Sequence, residues 1–406
     1  MRVLCTVTGS PSHARAMLPL VSALAAARCE VLIAGPPQLV PVFADSPGRT
    51  TDVMADPHDH MRRLLRDGAD TTGRPEADPA QAWIEVFAGT HVADSFTALL
   101  PLAQQFAPDL VVRDGGEFAG CLVAEALGVP HVSAPSGAAN HIDPVQLMPV
   151  LNGHRSRLGL PLAHDPYGIH RYGRMDCMPP QYSFTVHPAP TTINYRQPAD
   201  VDHAEALTPW MAALPTDKPL VIAAVGTVLP ALARMRDAGA RIPPAMEALF
   251  DASELLDAIV AGLSMVDCVA LVATGGTRPA TTRRHGNTHL VDHIPQPLLL
   301  RCAQLFITHG GYNSIREAVG AGVPMVVTPR FGDQLANADR VQEFGLGRRM
   351  GGPGQVPDAT DVAAVCERLL DDRHVAAHTR RAQRQILALP PIESAVADLE
   401  RLARTA

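Results

Sequence analysis

Short apolar segments that favour β-strands alternate with helical segments along the whole chain of 406 residues. Residues 2–8 (RVLCTVT) form an apolar run, residues 14–28 show helical periodicity, and residues 30–34 (EVLIA) form a second apolar run. Strand, helix and strand in this order make a βαβ unit, because parallel strands are joined by a long crossover connection. The pattern predicts an α/β fold with parallel sheets.

The same alternation recurs in both halves of the chain. Between the halves, residues 207–219 (LTPWMAALPTDKP) contain three prolines, which is typical of a linker. We therefore expect a first domain over 1–206 and a second domain that begins at 220. The further runs that predict strands lie at 109–113, 131–134, 220–225, 269–273, 305–308 and 324–328.

Three stretches fit this alternation less well. Residues 45–80 and 136–190 are rich in proline, glycine, histidine and aspartate, and they show little periodicity. Residues 229–250 look like a helical insertion after a strand. Long loops inside a compact domain are usually functional or mobile, so we expect the first two stretches to be irregular and close to a site.

The composition excludes several classes of protein. Apolar residues make up 47% of the chain and charged residues 18%, which is too hydrophobic for intrinsic disorder. A formal net charge of -7 disfavours nucleic acid as a partner. No run reaches the roughly 18 apolar residues of a membrane span, and seven scattered cysteines without a CxxC pair favour neither disulfides nor zinc. We expect a cytoplasmic protein that binds neither nucleic acid nor membrane.

A glycine-rich turn in the second half has the features of a phosphate-binding site. The segment THGG at 308–311 follows an apolar strand, and a helix opens near Asn313 and Ser314. Glycines let backbone amides approach a ligand, and a helix N-terminus carries unpaired N–H groups and a partial positive charge. A diphosphate would fit there. The glycines alone fit equally well an ordinary turn in which one of these two residues caps the helix.

Polar residues downstream favour the ligand-binding interpretation. Glu317 lies four residues after Asn313, on the same helix face, where its carboxylate can accept from the two hydroxyls of a ribose. Asp333 and Gln334 follow the next strand, at the carboxyl end where ligands bind in open parallel sheets. Adjacent acid and amide groups suit the hydroxyls of a sugar. One βαβ unit thus offers contacts for phosphate, ribose and sugar.

Residues 293–337 resemble the donor-binding signature of the family 1 nucleotide-sugar glycosyltransferases, with the pattern PQ followed by HGGxxSxxEAxxxGVPxxxxPxxxDQxxNA. The nearest relatives by this resemblance are bacterial antibiotic glycosyltransferases of the macrolide type. The resemblance implies the GT-B fold, in which two Rossmann-like doubly wound parallel-sheet domains face each other across a cleft. It implies that residues 1–206 bind the acceptor and 220–385 the nucleotide sugar, and that 386–406 form a helix packed on the N-terminal domain.

The resemblance also implies which residues contact the phosphates and the ribose. His309 would donate to the β-phosphate, and nearby backbone amides would hold the α-phosphate. Glu317 would hold the ribose, and a small turn after an earlier strand would lie near the phosphates. This set comprises Gly226, Thr227, His309, Gly310, Gly311, Asn313, Ser314 and Glu317.

A second set is implied for the base and the transferred sugar. His293 stands where the family usually has an aromatic residue that stacks on the base, and Ile294 would contact the base through its backbone. Gln296 would lie near the ribose, and Asp333 and Gln334 would hold the transferred sugar. The histidine is a departure from the family pattern, so the choice between TDP and UDP stays open.

The first half supplies a candidate general base. His13 follows the first predicted strand in a loop at the carboxyl edge of the sheet, and an imidazole can remove an alcohol proton at neutral pH. Asp114 ends another strand at the same edge and can orient the ring. The family uses such a pair, and Asp114 rather than Asp109 falls at the matching place. Two facts weigh against the pair: most lone histidines are ordinary hydrogen-bonded groups, and Ser12 stands where the family has glycine.

The implied reaction is a direct displacement with inversion at the anomeric carbon. His13 would deprotonate an acceptor hydroxyl, and the departing diphosphate would be met by His309 and the helix N-terminus. Fixed dipoles can stabilise that charge without a metal. The most metal-like cluster, residues 56–60 (DPHDH), is more typical of a solvated loop. We expect no metal and no cofactor beyond the TDP- or UDP-sugar co-substrate.

The sequence predicts the chemical class of the acceptor but not its identity. A small polyketide-like or other secondary metabolite is expected, while the choice of an O-, N- or C-glycosidic bond and a possible homodimer stay open. Trp83 and Phe87, four residues apart on a helix, favour core packing over ligand contact, and Ser10 favours a turn role. The candidate acceptor residues are Ser10, Trp83, Phe87, Asn140, His141 and Met148.

Other functions were weighed against this one. An epimerase or hydrolase on the same fold would need different groups beside the anomeric carbon. A degenerate glycosyltransferase-like binding or auxiliary protein would be favoured by loss of His13 or of the HGG segment, and both are present. A nicotinamide dehydrogenase lacks its GxGxxG after the first strand, and a serine hydrolase lacks its GxSxG.

Overall fold

A computed structural model describes residues 1–57, 79–198, 206–226, 252–277, 286–352 and 355–405. The chain divides into two compact units. Unit 1 comprises Met1–Val201 together with Ala388–Ala406, and unit 2 comprises Asp202–Leu387. Thr227, residues 58–60 of the metal-like segment 56–60 and the whole helical insertion 229–250 lie outside the described residues.

Unit 1 is built on seven parallel strands. The strands are β1 (Arg2–Thr6), β2 (Glu30–Ala34), β3 (Arg49–Thr51), β4 (Leu110–Asp114), β5 (His131–Ala134), β6 (Arg174–Asp176) and β7 (Thr192–Asn194). Its described α-helices are α1 (Pro11–Ala26), α2 (Pro79–Phe87), α3 (His91–Phe106), α4 (Ala119–Leu127), α5 (Pro144–Leu158) and, from the C-terminal segment, α13 (Ile392–Thr405).

The strand order of unit 1 is β3-β2-β1-β4-β5-β6-β7. The chain runs outward from β1 in one direction and then starts again at β4 in the other, so the order reverses between these two central strands. Val3 of β1 pairs with Val31 of β2 on one side and with Leu110 of β4 on the other. In doubly wound sheets, ligands bind outside the carboxyl ends of strands at such a switch point.

Both faces of this sheet are covered, as expected for a parallel sheet whose central strands are rich in apolar residues. Val3 and Cys5 point into a core formed with α1 and α13, while Leu4 points into a second core formed with α2 to α5. Helix α13 returns to unit 1 from the end of the chain and packs on α1, burying Ile392 and Leu399. Helices on both faces of a parallel sheet are the predicted α/β architecture.

Unit 2 contains six parallel strands in the order β10-β9-β8-β11-β12-β13. They are β8 (Leu220–Ala224), β9 (Val269–Ala273), β10 (Thr288–Val291), β11 (Leu305–Thr308), β12 (Met325–Val327) and β13 (Gly347–Arg349). Its described helices are α6 (Pro209–Ala212), α7 (Ser253–Leu263), α8 (Gln296–Leu300), α9 (Tyr312–Ala321), α10 (Gln334–Glu343), α11 (Ala359–Asp371) and α12 (Arg373–Leu387).

The same reversal of strand order occurs in unit 2, between β8 and β11. Leu305 of β11 pairs with Val221 of β8, and Leu220 of β8 pairs with Val269 of β9. Val221 and Ala223 face a core to which α7 and α11 contribute. The turns after β8 and β11 therefore lie next to each other at the switch point of the second sheet.

The structure corrects three of the predicted elements. Helix α1 begins at Pro11 rather than at residue 14, because proline has a helical φ and lacks only an N–H that the first turn does not use. The stretch 136–190 contains helix α5 and strand β6, and 45–80 contains β3. Helix α5 follows Asp143, whose side chain accepts from the Val145 N–H, and it ends at Gly159 with a positive φ of 70°.

One stretch of unit 1, Ile84–Phe106, is long and apolar enough to cross a membrane by length and mean hydropathy (1.2) alone. It covers the end of α2 and all of α3, and the two helices are separated at residues 88–90. Phe96 and Leu99 of this stretch are buried in the core of unit 1. Such a composition is common in core helices, so the stretch is weak evidence for a membrane.

Candidate functional site

A histidine and an aspartate meet at the switch point of unit 1. His13 is the third residue of α1, which follows β1, and Asp114 is the last residue of β4. Nδ1 of His13 lies 3.0 Å from Oδ2 of Asp114. The aspartate side chain is 1% exposed and the histidine side chain 19%. His13 therefore stands in the first turn of a helix and not in the predicted loop, and the structure brings the two predicted residues into contact.

The carboxylate of Asp114 is held from its other side as well. Its Oδ1 accepts the backbone N–H of Gly116 at 2.8 Å. The neighbouring Arg113 is fully buried, and its Nη1 donates to the carbonyls of Gly115 and Glu117 at 3.1 Å each. A carboxylate fixed on Nδ1 of an imidazole selects the tautomer in which Nε2 carries the lone pair. Nε2 is thus the atom at which this ring would accept a proton.

Two of the candidate acceptor residues lie around His13. The ring of Phe87 is stacked on the imidazole with centroids 6.4 Å apart and an angle of 19° between the planes. Phe87 is also buried in the core of unit 1, so packing and proximity to the site apply together. Ser10 precedes α1, and its hydroxyl contacts that of Ser12 at 2.7 Å. The serine pair orders the turn that leads to His13.

The remaining candidate acceptor residues are spread over unit 1. Asn140 is buried, and its Oδ1 accepts from Arg174 at 2.8 Å and from Thr185 at 3.1 Å. His141 and Met148 are partly exposed. Trp83 belongs to α2, but its side chain lies outside the described residues.

In unit 2, a histidine is packed between two glycines at the switch point. Gly226 follows β8 with a φ of +82°, and a Cβ there would lie 2.5 Å from Cε1 and Nε2 of His309. A Cβ on Gly311 would lie 2.5 Å from the same Nε2. Only glycine at both positions leaves room for the imidazole. The predicted residues Gly226, His309 and Gly311 are therefore in direct contact.

Burial lowers the pKa of His309 to about 4, although a contact with the Ala224 carbonyl opposes the shift. The ring is therefore neutral at physiological pH. Its Nδ1 is buried and has no hydrogen-bond partner among the described residues. A neutral ring can still donate one hydrogen bond, and a nearby anion would favour its protonated form.

Helix α9 opens at the same edge. Its N-cap is Gly311, so neither Asn313 nor Ser314 caps the helix, and within the described chain no side chain takes that role. Ser314 and Asn313 lie in the first turn, where unpaired N–H groups point out of the helix. One turn further on, Glu317 accepts from Nε2 of Gln296 at 2.7 Å, and the same amide contacts Ser314 at 3.3 Å.

The two predicted sugar-binding residues differ in how they are engaged. Oε1 of Gln334 accepts the backbone N–H groups of Arg330 at 2.9 Å and Phe331 at 3.2 Å, and the side chain is buried. Oδ2 of Asp333 accepts from Asn337 at 2.9 Å, and the same Asn337 amide donates to the Gly310 carbonyl at 2.9 Å. Asn337 thus ties the histidine-glycine turn to Asp333.

The predicted base-binding residues follow β10. His293 is exposed, Ile294 is buried, and the Ile294 carbonyl accepts from the Gln296 backbone N–H at 2.8 Å. The adjacent turn after β9 was not predicted as part of the site. There Thr274 contacts Asp292 at 3.2 Å and receives the backbone N–H of Gly276 at 3.2 Å. The glycine pair 275–276 after an apolar strand was the available signal.

One group of possible metal ligands occurs in the described part of the chain: Cys121, Glu125 and His131. Arg155 occupies both oxygens of Glu125, with Nη2 to Oε1 at 2.7 Å and Nε to Oε2 at 2.8 Å. Burial raises the pKa of Cys121 to about 12, which disfavours the thiolate that a metal binds. The group consists of the Arg155–Glu125 ion pair beside a buried thiol and a buried imidazole, whose Sγ and Nε2 atoms lie 3.5 Å apart. All seven cysteines lie in the described residues and are free thiols.

Comparisons with known proteins define the class. Residues 253–402 match the family described as Erythromycin biosynthesis protein CIII-like, C-terminal domain. Over 98% of this chain and 100% of the other, the structure superposes on a spinosyn rhamnosyltransferase, SpnG, complexed with thymidine diphosphate, with a TM-score of 0.74 and 23% identity. The chain is a glycosyltransferase with the GT-B fold, as the resemblance of residues 293–337 implied.

Sequence relatives narrow the class further. The L-demethylnoviosyl transferase of Streptomyces niveus is 29% identical over 94% of this chain and 93% of that protein. The oleandomycin glycosyltransferase of Streptomyces antibioticus is 27% identical over 77% of this chain and 73% of its own length. Over most of its length, the chain is thus similar to bacterial antibiotic glycosyltransferases. The resemblance stated for residues 293–337 is confirmed, and the epimerase and non-enzymatic alternatives are not supported.

Proposed function

We propose that this chain transfers a sugar, with inversion, from a TDP- or UDP-sugar to a hydroxyl of a natural-product aglycone. The observation that carries the proposal is the contact of 3.0 Å between His13 and Asp114 at the switch point of unit 1. Transfer to an oxygen is favoured over transfer to nitrogen or carbon, because a histidine general base suits the removal of a proton from an alcohol.

In this mechanism His13 takes the acceptor proton at Nε2. Asp114 keeps the remaining ring proton on Nδ1 and stabilises the imidazolium that forms. The acceptor oxygen then attacks the anomeric carbon from the face opposite the diphosphate. Attack from that face inverts the anomeric configuration, and the proton stays on His13 until it passes to solvent.

The departing nucleoside diphosphate would be held in unit 2. The first-turn N–H groups of α9 and the imidazole of His309 supply donors where negative charge grows. Glu317, oriented by Gln296 at 2.7 Å, would accept from the ribose hydroxyls. Asp333 would accept from hydroxyls of the transferred sugar. Because Oε1 of Gln334 already accepts two backbone N–H groups, we assign contact with the sugar to the amide nitrogen of Gln334. No step is routed through a metal.

We infer that the nucleotide is thymidine rather than uridine diphosphate, because the similar glycosyltransferases VinC and SpnG were solved with thymidine diphosphate. By similarity to the L-demethylnoviosyl and oleandomycin transferases, the acceptor is a small secondary metabolite of polyketide or similar type. Phe87 stacked on His13 would offer an apolar surface to such an aglycone.

The donor half of the proposal is tested by thermal denaturation with thymidine or uridine diphosphate. We expect thymidine diphosphate to raise Tm and His309→Ala to abolish the shift, because the imidazole is a donor at the growing charge. Glu343→Gln, on the exposed side of α10, is a matched control that keeps the shift. Absence of a shift with either nucleotide in the wild type would refute the proposal.

The acceptor half is tested by incubating TDP- and UDP-hexoses with hydroxylated macrolides and aromatic polyketides. Mass spectrometry detects the glycoside, and proton NMR of the anomeric centre gives its configuration. We expect an inverted product and a loss of turnover of roughly 10²–10⁴-fold in His13→Ala, the range for a general base. Retention of configuration, or unchanged turnover in His13→Ala, would remove His13 from the mechanism.

A further inference from the structure

A buried carboxylate, Glu117, lies three residues after Asp114 in the turn between β4 and α4. Glu117 is 3% exposed, and the mechanism proposed above gives it no role. Charged side chains are almost never this buried unless they are paired or hydrogen-bonded. The contacts of Glu117 therefore indicate what it does.

Both oxygens of Glu117 are engaged. Oε1 accepts the backbone N–H of Ala119, and Oε2 accepts the backbone N–H of Gly120 at 2.8 Å. The carboxylate thus occupies the N-terminus of α4, where its charge is favourable. Oε2 also accepts from the hydroxyl of Thr6. A Cβ on Gly120 would collide with Oγ1 of Thr6 and Oε2 of Glu117, so the close approach requires glycine there.

Thr6 is the last residue of β1, and the chain leads from it to His13 on the first turn of α1. Glu117 is joined to Asp114 by a backbone hydrogen bond of 2.9 Å, from its own N–H to the Asp114 carbonyl. The side chain of Glu117 therefore links the end of the strand that leads to His13 with the end of the strand that carries Asp114.

Arg113 supports the same turn from inside the sheet. Its guanidinium donates to the carbonyls of Gly115 and Glu117, and through Nη2 to the Ile169 carbonyl at 3.2 Å. Burial raises the pKa of Glu117, while the hydroxyl of Thr6, the Gly120 N–H and the charge of Arg113 oppose that rise. Cation and carboxylate together hold the turn 114–118 from both sides.

We propose that Glu117 is a positioning residue for the general base, fixing the ends of β1 and β4 so that Nδ1 of His13 meets Oδ2 of Asp114. This inference rests on the proposed function of that pair. Glu117 touches neither reacting group, because both of its oxygens are committed to Thr6 and the N-terminus of α4. Its effect on turnover passes through the alignment of His13 and Asp114.

The test compares Glu117→Gln and Glu117→Ala with Glu125→Gln. Glu125 lies towards the far end of the same helix α4 and pairs with the buried Arg155, so its variant also weakens a buried ion pair of unit 1. Selective ¹⁵N labelling of histidine, with His13→Ala to assign the signal, reports the Nδ1 proton of His13. We expect both Glu117 variants to shift or broaden that signal, and Glu125→Gln to leave it as in the wild type.

Kinetics give the second readout. We expect Glu117→Ala to lower kcat roughly 10–100-fold, as a displacement of about 1 Å does at an active site, with KM for the TDP-sugar within twofold of the wild type. In the His13→Ala background the same change should lower kcat less than twofold, because an aligned base is no longer there to lose.

The outcomes separate this inference from the proposed function. If His13→Ala lowers turnover but the Glu117 variants behave like Glu125→Gln in both readouts, positioning by Glu117 is wrong and the general base stands. If the effects of Glu117→Ala and His13→Ala multiply in the double variant, Glu117 acts independently of His13, and the inference is overturned. If His13→Ala leaves turnover unchanged, the proposed function itself fails.

Discussion

Asp114→Asn tests the tautomer argument most directly. In the wild type, Oδ1 of Asp114 accepts from Gly116 N–H at 2.8 Å, and Oδ2 faces Nδ1 of His13 at 3.0 Å. An asparagine must turn its oxygen to Gly116, because its NH₂ group cannot accept that N–H. Its NH₂ then faces Nδ1 of His13 and donates to it. The ring proton moves to Nε2, and the ring loses its basic atom at the place where the acceptor proton would be taken.

The magnitude follows from the cost of the opposite amide orientation. Turning NH₂ toward Gly116 leaves two donors facing each other in a site that is 1% exposed, at a cost of about 1–3 kcal/mol. That cost reduces the basic tautomer by roughly 5- to 150-fold, at 1.4 kcal/mol for each factor of ten. Loss of the charged partner of the imidazolium adds about another tenfold. We expect kcat to fall by roughly 10²–10³-fold.

The assay measures kcat with the acceptor identified by mass spectrometry, and it measures Tm with and without thymidine diphosphate. Asp109→Asn is the matched control, since Asp109 precedes the same strand and its side chain accepts from the backbone N–H of the exposed Arg2 at 2.6 Å. We expect the control to keep kcat and both variants to keep the thymidine diphosphate shift. A kcat within threefold of the wild type in Asp114→Asn would refute the tautomer argument.

Two further predictions concern glycine geometry and acid stability. Gly226→Ala places a methyl group 2.5 Å from the His309 ring, so it should weaken thymidine diphosphate binding at least tenfold, as measured by calorimetry. The control Gly128→Ala has a similar φ and open space around the new methyl group, so it should cost only about 1 kcal/mol of stability. Equal nucleotide affinity in the two variants would contradict this prediction. Burial, with the charges of Arg113 and Arg174, lowers the pKa of His170 to about 3, so the unfolded state binds a proton more readily below pH 6.5 and stability falls as the pH falls through that value. His170→Gln should remove about 2 kcal/mol of the loss between pH 7 and pH 5, measured by urea unfolding at both values, and identical pH dependence in the variant would contradict the assignment.

Much of the fold was predictable because each central strand contains a run of three or more apolar residues. β1, β4, β8, β9 and β11 correspond to the runs predicted from the sequence. Strand β6 was missed because its residues, Arg174–Asp176, are two charged side chains around one methionine. Met175 lies in the apolar core, whereas Arg174 and Asp176 are buried with hydrogen-bond partners. Helix α5 was missed because Pro149 and Gly153 interrupt its periodicity, although Asp143 and Pro144 were a helix-start signal.

In the candidate site, too, some features were predictable from the sequence and others were not. Topology alone predicts that His13 and Asp114 end up at one sheet edge, since β1 and β4 are neighbours at the reversal of strand order. What topology cannot predict is which side chains keep them at hydrogen-bond distance. Arg113 and Glu117 are recognisable in the sequence only as charges beside a buried strand. The occupied Oε1 of Gln334 likewise depends on a turn geometry that no motif encodes.

The return of α13 to unit 1 has a consequence for synthesis on the ribosome. Residues Met1–Val201 emerge from the ribosome before unit 2, but Ile392, Val396 and Leu399, which complete the core of unit 1, are translated after unit 2. Unit 2 lies between the two segments of unit 1 in the sequence, so all of its residues leave the ribosome before α13 does. The apolar face of α1 therefore stays uncovered until α13 has been translated. Unit 1 can complete its folding only after unit 2 has been synthesised.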